Sequence, residues 1–309
     1  DISVLPLGFS LIPQIPEKNA PLRAIFVQLS GSFSLWVVHH PTETELILPF
    51  LANEYCQSDL PQTAAFAIKE LCACKQEHES FLAFVLSVLD SPRDGSDFAS
   101  DCYMIEAACL AVSQDVSLKQ DDSRELLVRL ASPIIARLQR SDVLSKQQVL
   151  SEISKLTILI REYPSNSGPQ DSHPIFELVR SSWLLLSHLT ESMKDDFQAS
   201  ETICRFHKHA MRSSGIESFK ELLPQLSLLI LQCFVTSLQS PFLYLASVVV
   251  REYANFPNEA YLVLENTSKM LHTVHMRGAF KNIAELRIVP DVVEYVYYLL
   301  SRTLACLPH

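Results

Sequence analysis

Apolar residues recur at helical spacing along almost the whole chain. Between residues 21 and 38 the pattern is typical, because its apolar positions lie three or four apart: Leu22, Ile25, Phe26, Leu29, Phe33 and Trp36. Such spacing places the side chains on one face of an amphipathic helix. No segment alternates between strand and helix patterns. The sequence therefore predicts an all-α protein.

The helices predicted from this pattern are one to two dozen residues long and are separated by short stop signals. The residue before a proline is pushed out of the helical region, so His39-His40-Pro41 ends the first of them. Turn and loop signals follow at 91–95 and 163–169. The predicted helices span residues 21–38, 44–55, 62–74, 78–89, 98–112, 122–138, 146–162, 174–193, 197–212, 216–237, 241–255, 258–275 and 290–307.

The helices recur as pairs with a regular period. The centres of the second helices are spaced about 43 residues apart on average, within the 40–47-residue period of HEAT and armadillo repeats. One such pair cannot bury its apolar face alone, so pairs stack into a superhelical solenoid with a concave inner surface. We predict one continuous HEAT-repeat array over residues 1–309, with about six to seven antiparallel helix pairs. Trp36 and Trp183 are expected to be buried between helices.

One or two globular helical domains would be the alternative architecture. Discrete domains are usually separated by polar linkers. The candidate linkers, 91–96 and 163–172, are short and lie directly between predicted helices. The continuous array is therefore favoured.

The charge balance limits the possible ligands. Lysine and arginine total 25 against 35 aspartate and glutamate residues, a net charge of −10. Nucleic-acid binders need the opposite sign, so we expect no direct nucleic-acid binding, and only a local basic patch could bind anions. The longest apolar run, 222–238, contains Pro224, Gln225 and Gln232, which disfavours a membrane span.

Catalytic, metal and cofactor motifs are missing from the sequence. There is no P-loop, no GxGxxG and no GxSxG, and the chain has only 6 glycines. His272 and His275 lie three apart on one helix, but no third ligand accompanies them. The eight cysteines lack a paired CxxC layout and are expected to be reduced, buried thiols. We predict no enzyme activity, no cofactor and no metal.

A basic stripe distinguishes the helix predicted at 197–212. Arg205, Lys208 and Arg212 lie at i, i+3 and i+7 and so project from one face. Guanidinium groups grip phosphate or carboxylate in bidentate fashion, so this stripe is a candidate anion site. The plainer interpretation is a solvated helix face. His207 and His209 lie off the stripe and add charge only if they are protonated.

Several motifs carry a resemblance to a known family. The sharpest is Phe-Leu-Tyr-Leu-Ala-Ser-Val-Val-Val-Arg-Glu-Tyr at 242–253, and further matches lie at Pro21-Leu22-Arg23, 64–72, 201–215 and 290–293. Together they resemble the transportin-SR receptors of the importin-beta superfamily over nearly the whole chain. The resemblance implies a HEAT-repeat nuclear import receptor, of which this chain, opening on Asp1 without a methionine, is expected to be the middle to C-terminal part.

The resemblance also implies partners and a site. Such receptors shuttle between cytoplasm and nucleus, contact nucleoporins, import splicing factors with arginine/serine-rich domains, and release them on binding Ran-GTP. Arg205 and Arg212 match arginines of the family's cargo-binding helix, and Lys208 keeps the charge. Gln198 and Thr202 stand where the family has arginine, and the N-terminal repeats that form the first Ran-binding surface are not found in this sequence.

Two alternatives to this function stay open. One is another importin-beta carrier, close to importin-13, with different cargo or bidirectional transport. The other is a static HEAT-repeat scaffold, which would hold a constant partner without nucleotide-dependent release.

Overall fold

The fold is helical throughout the part of the chain that is described. The computed structural model describes residues 5–16, 18–57, 59–74, 80–91, 97–115, 118–164, 173–276 and 290–306. Of these residues 84% are helical, and none of them lies in a strand. The predicted all-α class is confirmed.

The helices follow one another with short connections. A short 3₁₀ helix, Ile12–Gln14, follows the first α helix. The α helices are α1 (Leu5–Phe9), α2 (Ala20–Ser32), α3 (Ser34–Val38), α4 (Pro41–Gln57), α5 (Pro61–Ala73), α6 (Ser80–Asp90), α7 (Phe98–Gln114), α8 (Gln120–Leu138), α9 (Lys146–Glu162), α10 (Pro174–Ser181), α11 (Trp183–Ser192), α12 (Phe197–Ser213), α13 (Ile216–Phe219), α14 (Leu223–Ser237), α15 (Ser240–Glu252), α16 (Pro257–Met276) and α17 (Pro290–Cys306).

Three helices that the sequence predicts as continuous are each divided in two. The first breaks at Phe33, directly after Gly31 and Ser32, and such glycine–serine pairs commonly end or kink helices. The second breaks at Ser182, where the Leu178 carbonyl accepts both the Ser182 amide at 3.2 Å and the Ser181 hydroxyl at 2.9 Å. The third breaks between α13 and α14, where Pro224 lies in the first turn of α14.

Some predicted features lie outside the described residues. These are the first two residues of the helix predicted at 78–89, the turn at 92–95, the loop from residue 165 onward and the last residue of the helix predicted at 290–307.

The first compact unit comprises Asp1–Leu126 and Glu162–Pro164. In it α5 packs against α2, α4 and α7. Alanines on α5 allow a close approach, and a side chain added at Gly31 of α2 would meet the Ala67 backbone at 3.2 Å. Trp36, which the sequence predicts to be buried, is half-buried, and its ring stacks on Phe9 at 5.8 Å and on His40 at 3.8 Å.

The second compact unit comprises Leu127–Arg161 and Ser165–His309. α12 packs on α15 and α15 packs on α17, which forms one row of helices, while α11, α14 and α16 form a second row. A salt bridge also joins Lys146, at the start of α9, to Asp196, just before α12. Trp183 is buried in this unit, as the sequence predicts.

Each unit is thus built from helices that pack on their sequence neighbours and on the next helix of the same row. This arrangement is what a helical-repeat sequence predicts. The single continuous array over residues 1–309 stays a prediction.

Candidate anion-binding site on helix α12

Helix α12 is held at its start by an N-cap and by a charge pair. The Asp196 carboxylate accepts a hydrogen bond from the Ala199 amide at 2.9 Å, which satisfies one of the open amides of the first turn. Lys146 of α9 donates to the same carboxylate at 2.5 Å. These bonds, that from Lys146 first, lower the pKa of Asp196. The ion pair therefore connects the start of α9 to the start of α12.

The faces of α12 separate cleanly into buried and exposed residues. The buried side chains recur at helical spacing: Ile203, Cys204, Phe206, His207, Ala210 and Met211. Arg205 and Arg212 are exposed and Lys208 is half-buried. The predicted basic stripe thus lies on the solvent-exposed face of α12, and Gln198 and Thr202 lie in line with it near the start of the helix.

The three cations of the stripe have different partners. Arg205 donates to Glu201 on the preceding turn at 2.9 Å. Arg212 donates from Nε and Nη2 to one oxygen of Glu252 on α15, at 3.0 and 2.7 Å. Lys208 lies 5.8 Å from the centroid of the Tyr244 ring, also on α15. Two of the three predicted site residues are therefore paired with a carboxylate.

The Glu252 carboxylate, at the end of α15, binds two arginines. It accepts from Arg212 and from Arg251, the latter at 2.9 Å. Burial opposes its ionisation, but hydrogen bonds from Arg251 and then Arg212 hold the pKa of Glu252 below its usual value. One carboxylate thus orders two cations and leaves a net positive charge.

His207 belongs to the core, not to the charged face. It is 1% exposed and its Nε2 lies 3.0 Å from the Thr190 hydroxyl. The ring also packs edge-on against Trp183 at 5.8 Å. Burial lowers the pKa of His207 to about 4, so it adds no charge to the stripe at neutral pH.

The pKa of His209 reflects the positive charges near the exposed face of α12. Its pKa is lowered to about 4, first by burial and then by four nearby cations: Lys208, Arg161, Arg212 and Arg205. Arg161 comes from the end of α9, so the positive field extends beyond α12. A field of this sign favours a bound anion.

Residues of α15 and α17 lie next to the stripe. Arg302 of α17 lies 6.0 Å from the Tyr244 centroid and donates to the Ser247 hydroxyl at 2.7 Å. Tyr295 contacts Tyr244 edge-on at 5.7 Å. Sequence reasoning missed Arg302 and Tyr295, and the only available signal was the distinctive motif that contains Tyr244.

Metal and thiol chemistry find little support in the described residues. No group of three or more histidine, cysteine, aspartate or glutamate side chains there could hold a metal ion. Cys72, Cys109, Cys204 and Cys233 are buried thiols, and burial raises their pKa, to about 12 for Cys72 and about 11 for Cys233. Such thiols are poor nucleophiles at neutral pH.

None of the described helices has the length and apolar character needed to cross a membrane.

Comparison with known proteins gives a consistent result. Residues 173–277, which include α12 and α15, match the family model described as Transportin-3/Importin-13 fourth TPR domain. The chain is 23% identical to human Importin-13 over 97% of its own length and 33% of that protein. The chain is therefore similar to proteins of the importin-13/transportin family. It is also 23% identical to Transportin MOS14 of Arabidopsis thaliana, over all of this chain and 32% of that protein.

A solved structure confirms the fold class. The structure of importin-13 in its cytosolic state matches with a TM-score of 0.74 at 16% sequence identity, over 98% of this chain and 35% of the other. The predicted HEAT-repeat solenoid of stacked antiparallel helix pairs is therefore confirmed as the fold. The chain spans about a third of the length of the relatives that it matches.

Proposed function

We propose that this chain is the middle to C-terminal part of a nuclear transport receptor that imports phosphorylated arginine/serine-rich proteins. Ran-GTP releases the cargo in the nucleus, and the receptor shuttles between nucleus and cytoplasm past nucleoporins. Arg205, Lys208 and Arg212 bind the cargo on the inner face of the array. No enzymatic step is part of this role.

The positive electrostatic field around α12 is the main support for this proposal. In a chain of net charge −10, burial and then the charges of four cations lower the pKa of His209 on this helix. The printed names of the relatives, importin and transportin, indicate transport as the wider role. The basic helix also lies within the segment that matches the Transportin-3/Importin-13 domain.

The carboxylates near the stripe lower its affinity for an anion but do not prevent an anion from binding. Glu201 is half-exposed and pairs with Arg205 within one helix, and exposed pairs of this kind contribute only about 0–1 kcal/mol. A phosphoserine carries a charge of about −1.5 to −2, more than one carboxylate. It therefore competes successfully for Arg205, while Arg212 keeps donors free beyond the two that bind Glu252.

A carrier with different cargo is the second candidate. Gln198 and Thr202 leave the start of α12 without charge, and Glu201 and Glu252 partly neutralise the rest. Both features favour a less phosphorylated or more basic cargo. The similarity to human Importin-13 over 97% of this chain is compatible with an importin-13-like carrier.

Nucleotide-dependent binding to Ran tests the carrier function. We expect the full-length protein to retain Ran loaded with a non-hydrolysable GTP analogue and to release pre-bound phosphorylated arginine/serine peptide in the process. Ran-GDP serves as the control and is expected neither to bind nor to release the peptide. Equal retention of both nucleotide forms, or none, would favour a static scaffold.

A further inference from the structure

Two aromatic rings and two carboxylates lie together on the surface of α5 and α7. Phe66 of α5 contacts Tyr103 of α7 edge-on, with the ring centroids 5.4 Å apart. One turn further along, the Lys69 ammonium of α5 lies 3.4 Å from a carboxylate oxygen of Glu106 of α7. Both contacts join residues at the same separation in sequence, so the two helices run parallel here and present one common face.

Lys69 places a cation at the centre of this group. Its ammonium nitrogen lies 5.3 Å from the centroid of each ring, and it also pairs with Glu70 at 3.7 Å. An aromatic face attracts a cation within about 6 Å, and the two carboxylates add charge pairing. Phe66, Tyr103, Glu70 and Glu106 therefore form a cation site, which we call the α5–α7 cage.

The cage can be reached from solvent. Phe66 is 41% exposed, and Tyr103, Glu70 and Glu106 are half-buried. The buried positions of α5 lie elsewhere around the helix, at Ala64, Ala65, Ala67, Ile68, Leu71 and Cys72. The packing of α5 on α2, α4 and α7 thus leaves the cage open.

The first compact unit carries a large negative charge. The residues assigned to it, 1–126 and 162–164, include 7 lysines and arginines against 19 aspartates and glutamates, so the net charge is 7 − 19 = −12. The residues of the second unit have 18 against 16, a net charge of +2. α5 and α7 themselves contain one basic residue, Lys69, against three acidic ones. A unit of this sign attracts a basic partner and repels nucleic acids and anionic membranes.

We propose that the α5–α7 cage binds an arginine side chain of a basic protein segment, which displaces the Lys69 ammonium. This inference goes beyond the role proposed for α12, because it concerns another unit and a ligand of the opposite charge. Lys69 occupies the cage in the free protein and leaves it when the partner binds.

Arginine competes well with Lys69 for this site. A guanidinium is planar, so it binds a carboxylate in bidentate fashion and stacks on aromatic rings, whereas the lysine ammonium is a point charge. Partly exposed ion pairs such as those of Lys69 contribute little to stability. The released lysine side chain also regains rotamer freedom.

Removing the two carboxylates tests the charge of the cage. Fluorescence anisotropy would measure binding of a labelled peptide of alternating arginine and glycine to the full-length protein. Glu70→Gln/Glu106→Gln is expected to weaken binding at least about fivefold, because it removes charge-assisted hydrogen bonds. The matched control Glu43→Gln/Glu45→Gln, on α4 of the same unit, makes the same change in net charge and is expected to stay within about twofold of wild type.

A second pair of variants tests the aromatic contribution. Phe66→Leu keeps an apolar side chain but loses the ring, and we expect it to weaken binding about threefold. Phe98, which is 46% exposed at the start of α7, provides the control. Phe98→Leu makes the same change on the neighbouring helix and is expected to leave the affinity unchanged.

Removing Lys69 tests its displacement. Lys69→Gln takes away the competing cation and leaves two carboxylates without it, so the affinity for the arginine peptide is expected to rise about threefold. A peptide with lysine in place of arginine is expected to bind at least about threefold more weakly than the arginine peptide. Circular dichroism of each variant would show whether the fold is retained.

Several outcomes would overturn the proposal. Unchanged affinity in Glu70→Gln/Glu106→Gln, or an equal loss in the α4 control, would assign the binding to the overall charge of the unit. An affinity that does not rise in Lys69→Gln would show that the peptide does not enter the cage. Tighter binding of a peptide of alternating leucine and glycine than of the arginine peptide would identify an apolar docking face instead.

Discussion

Arg212 and Glu252 join α12 to α15 through two hydrogen bonds to one carboxylate oxygen, at 3.0 and 2.7 Å. The pair lies at the ends of two neighbouring helices, and Arg251 contacts the same carboxylate. The arginine that the sequence assigns to cargo is therefore also a cross-helix contact. Substitution of Arg212 is therefore expected to affect both cargo binding and the contact between α12 and α15.

Reversing the charges of the stripe is expected to weaken cargo binding. Arg205→Glu/Arg212→Glu places two new carboxylates beside Glu201 and Glu252, so the field at α12 changes sign. Charge-assisted hydrogen bonds contribute about 1.5–3 kcal/mol each, so the affinity for a phosphorylated arginine/serine peptide is expected to fall at least about tenfold. Binding measured in rising salt is expected to weaken strongly, because screening shortens the range of the interaction.

The unphosphorylated peptide is the control for the charge reversal. Its affinity is expected to depend far less on Arg205 and Arg212, since it lacks the phosphate groups. Equal affinities for both peptides in wild type and variant would identify the stripe as a solvated helix face.

Removing the charge of Glu252 is expected to act in the opposite direction. Glu252→Gln leaves Arg212 and Arg251 without their shared counter-charge, and the field becomes more positive. At the separations and dielectric of a protein surface, one unit charge changes the affinity for a phosphopeptide by about two- to fivefold. Titration calorimetry on the full-length protein would measure the expected gain. A loss of affinity would show that Glu252 is needed to position Arg212.

Protonation of His207 is expected to make stability depend on pH. The pKa of His207 is about 4 in the folded chain and about 6.5 when unfolded, so the unfolded state binds more protons between these values. Stability is therefore complete above about pH 6.5 and falls as the pH drops towards 4, by about 2 kcal/mol at pH 5.

Thermal unfolding of wild type and His207→Gln would measure this effect. The unfolding midpoint of wild type is expected to fall more between pH 7 and pH 5 than that of the variant, because glutamine does not titrate. An equal fall in both proteins would assign the acid sensitivity to other groups.

A larger side chain at Gly31 is expected to separate α2 from α5. A Cβ there would meet the Ala67 Cα at 3.2 Å, and the additional methyl groups of Gly31→Val have no space between two helix backbones. Overpacking of this kind costs about 1–3 kcal/mol. The midpoint of thermal unfolding is expected to fall accordingly.

Gly8→Val is the matched control for the packing prediction. A Cβ at Gly8 meets nothing within 4 Å, and Gly8 also lies in a helix, so the change in helix propensity is comparable. A similar loss at both positions would mean that propensity, and not the approach of α2 to α5, determines the effect.

The sequence predicted most helices because their apolar stripes are local. The helix at Lys146–Glu162 matches its predicted bounds, and α12 differs by one residue. The breaks at Phe33 and Ser182 were not predicted, because the apolar pattern continues across both positions. The burial of His207 was readable in principle, since it shares the helical spacing of Ile203 and Ala210.

What the sequence determined by itself was the helical repeat and the common face of Arg205, Lys208 and Arg212, because both depend on spacings within one helix. The partners of those cations were decided only by tertiary structure. Arg212 meets Glu252 at a separation of 40 residues, and Arg302 meets Ser247 at 55. Such neighbours depend on which buried faces pack together, and that packing determines which charges are neutralised and which stay available to a ligand.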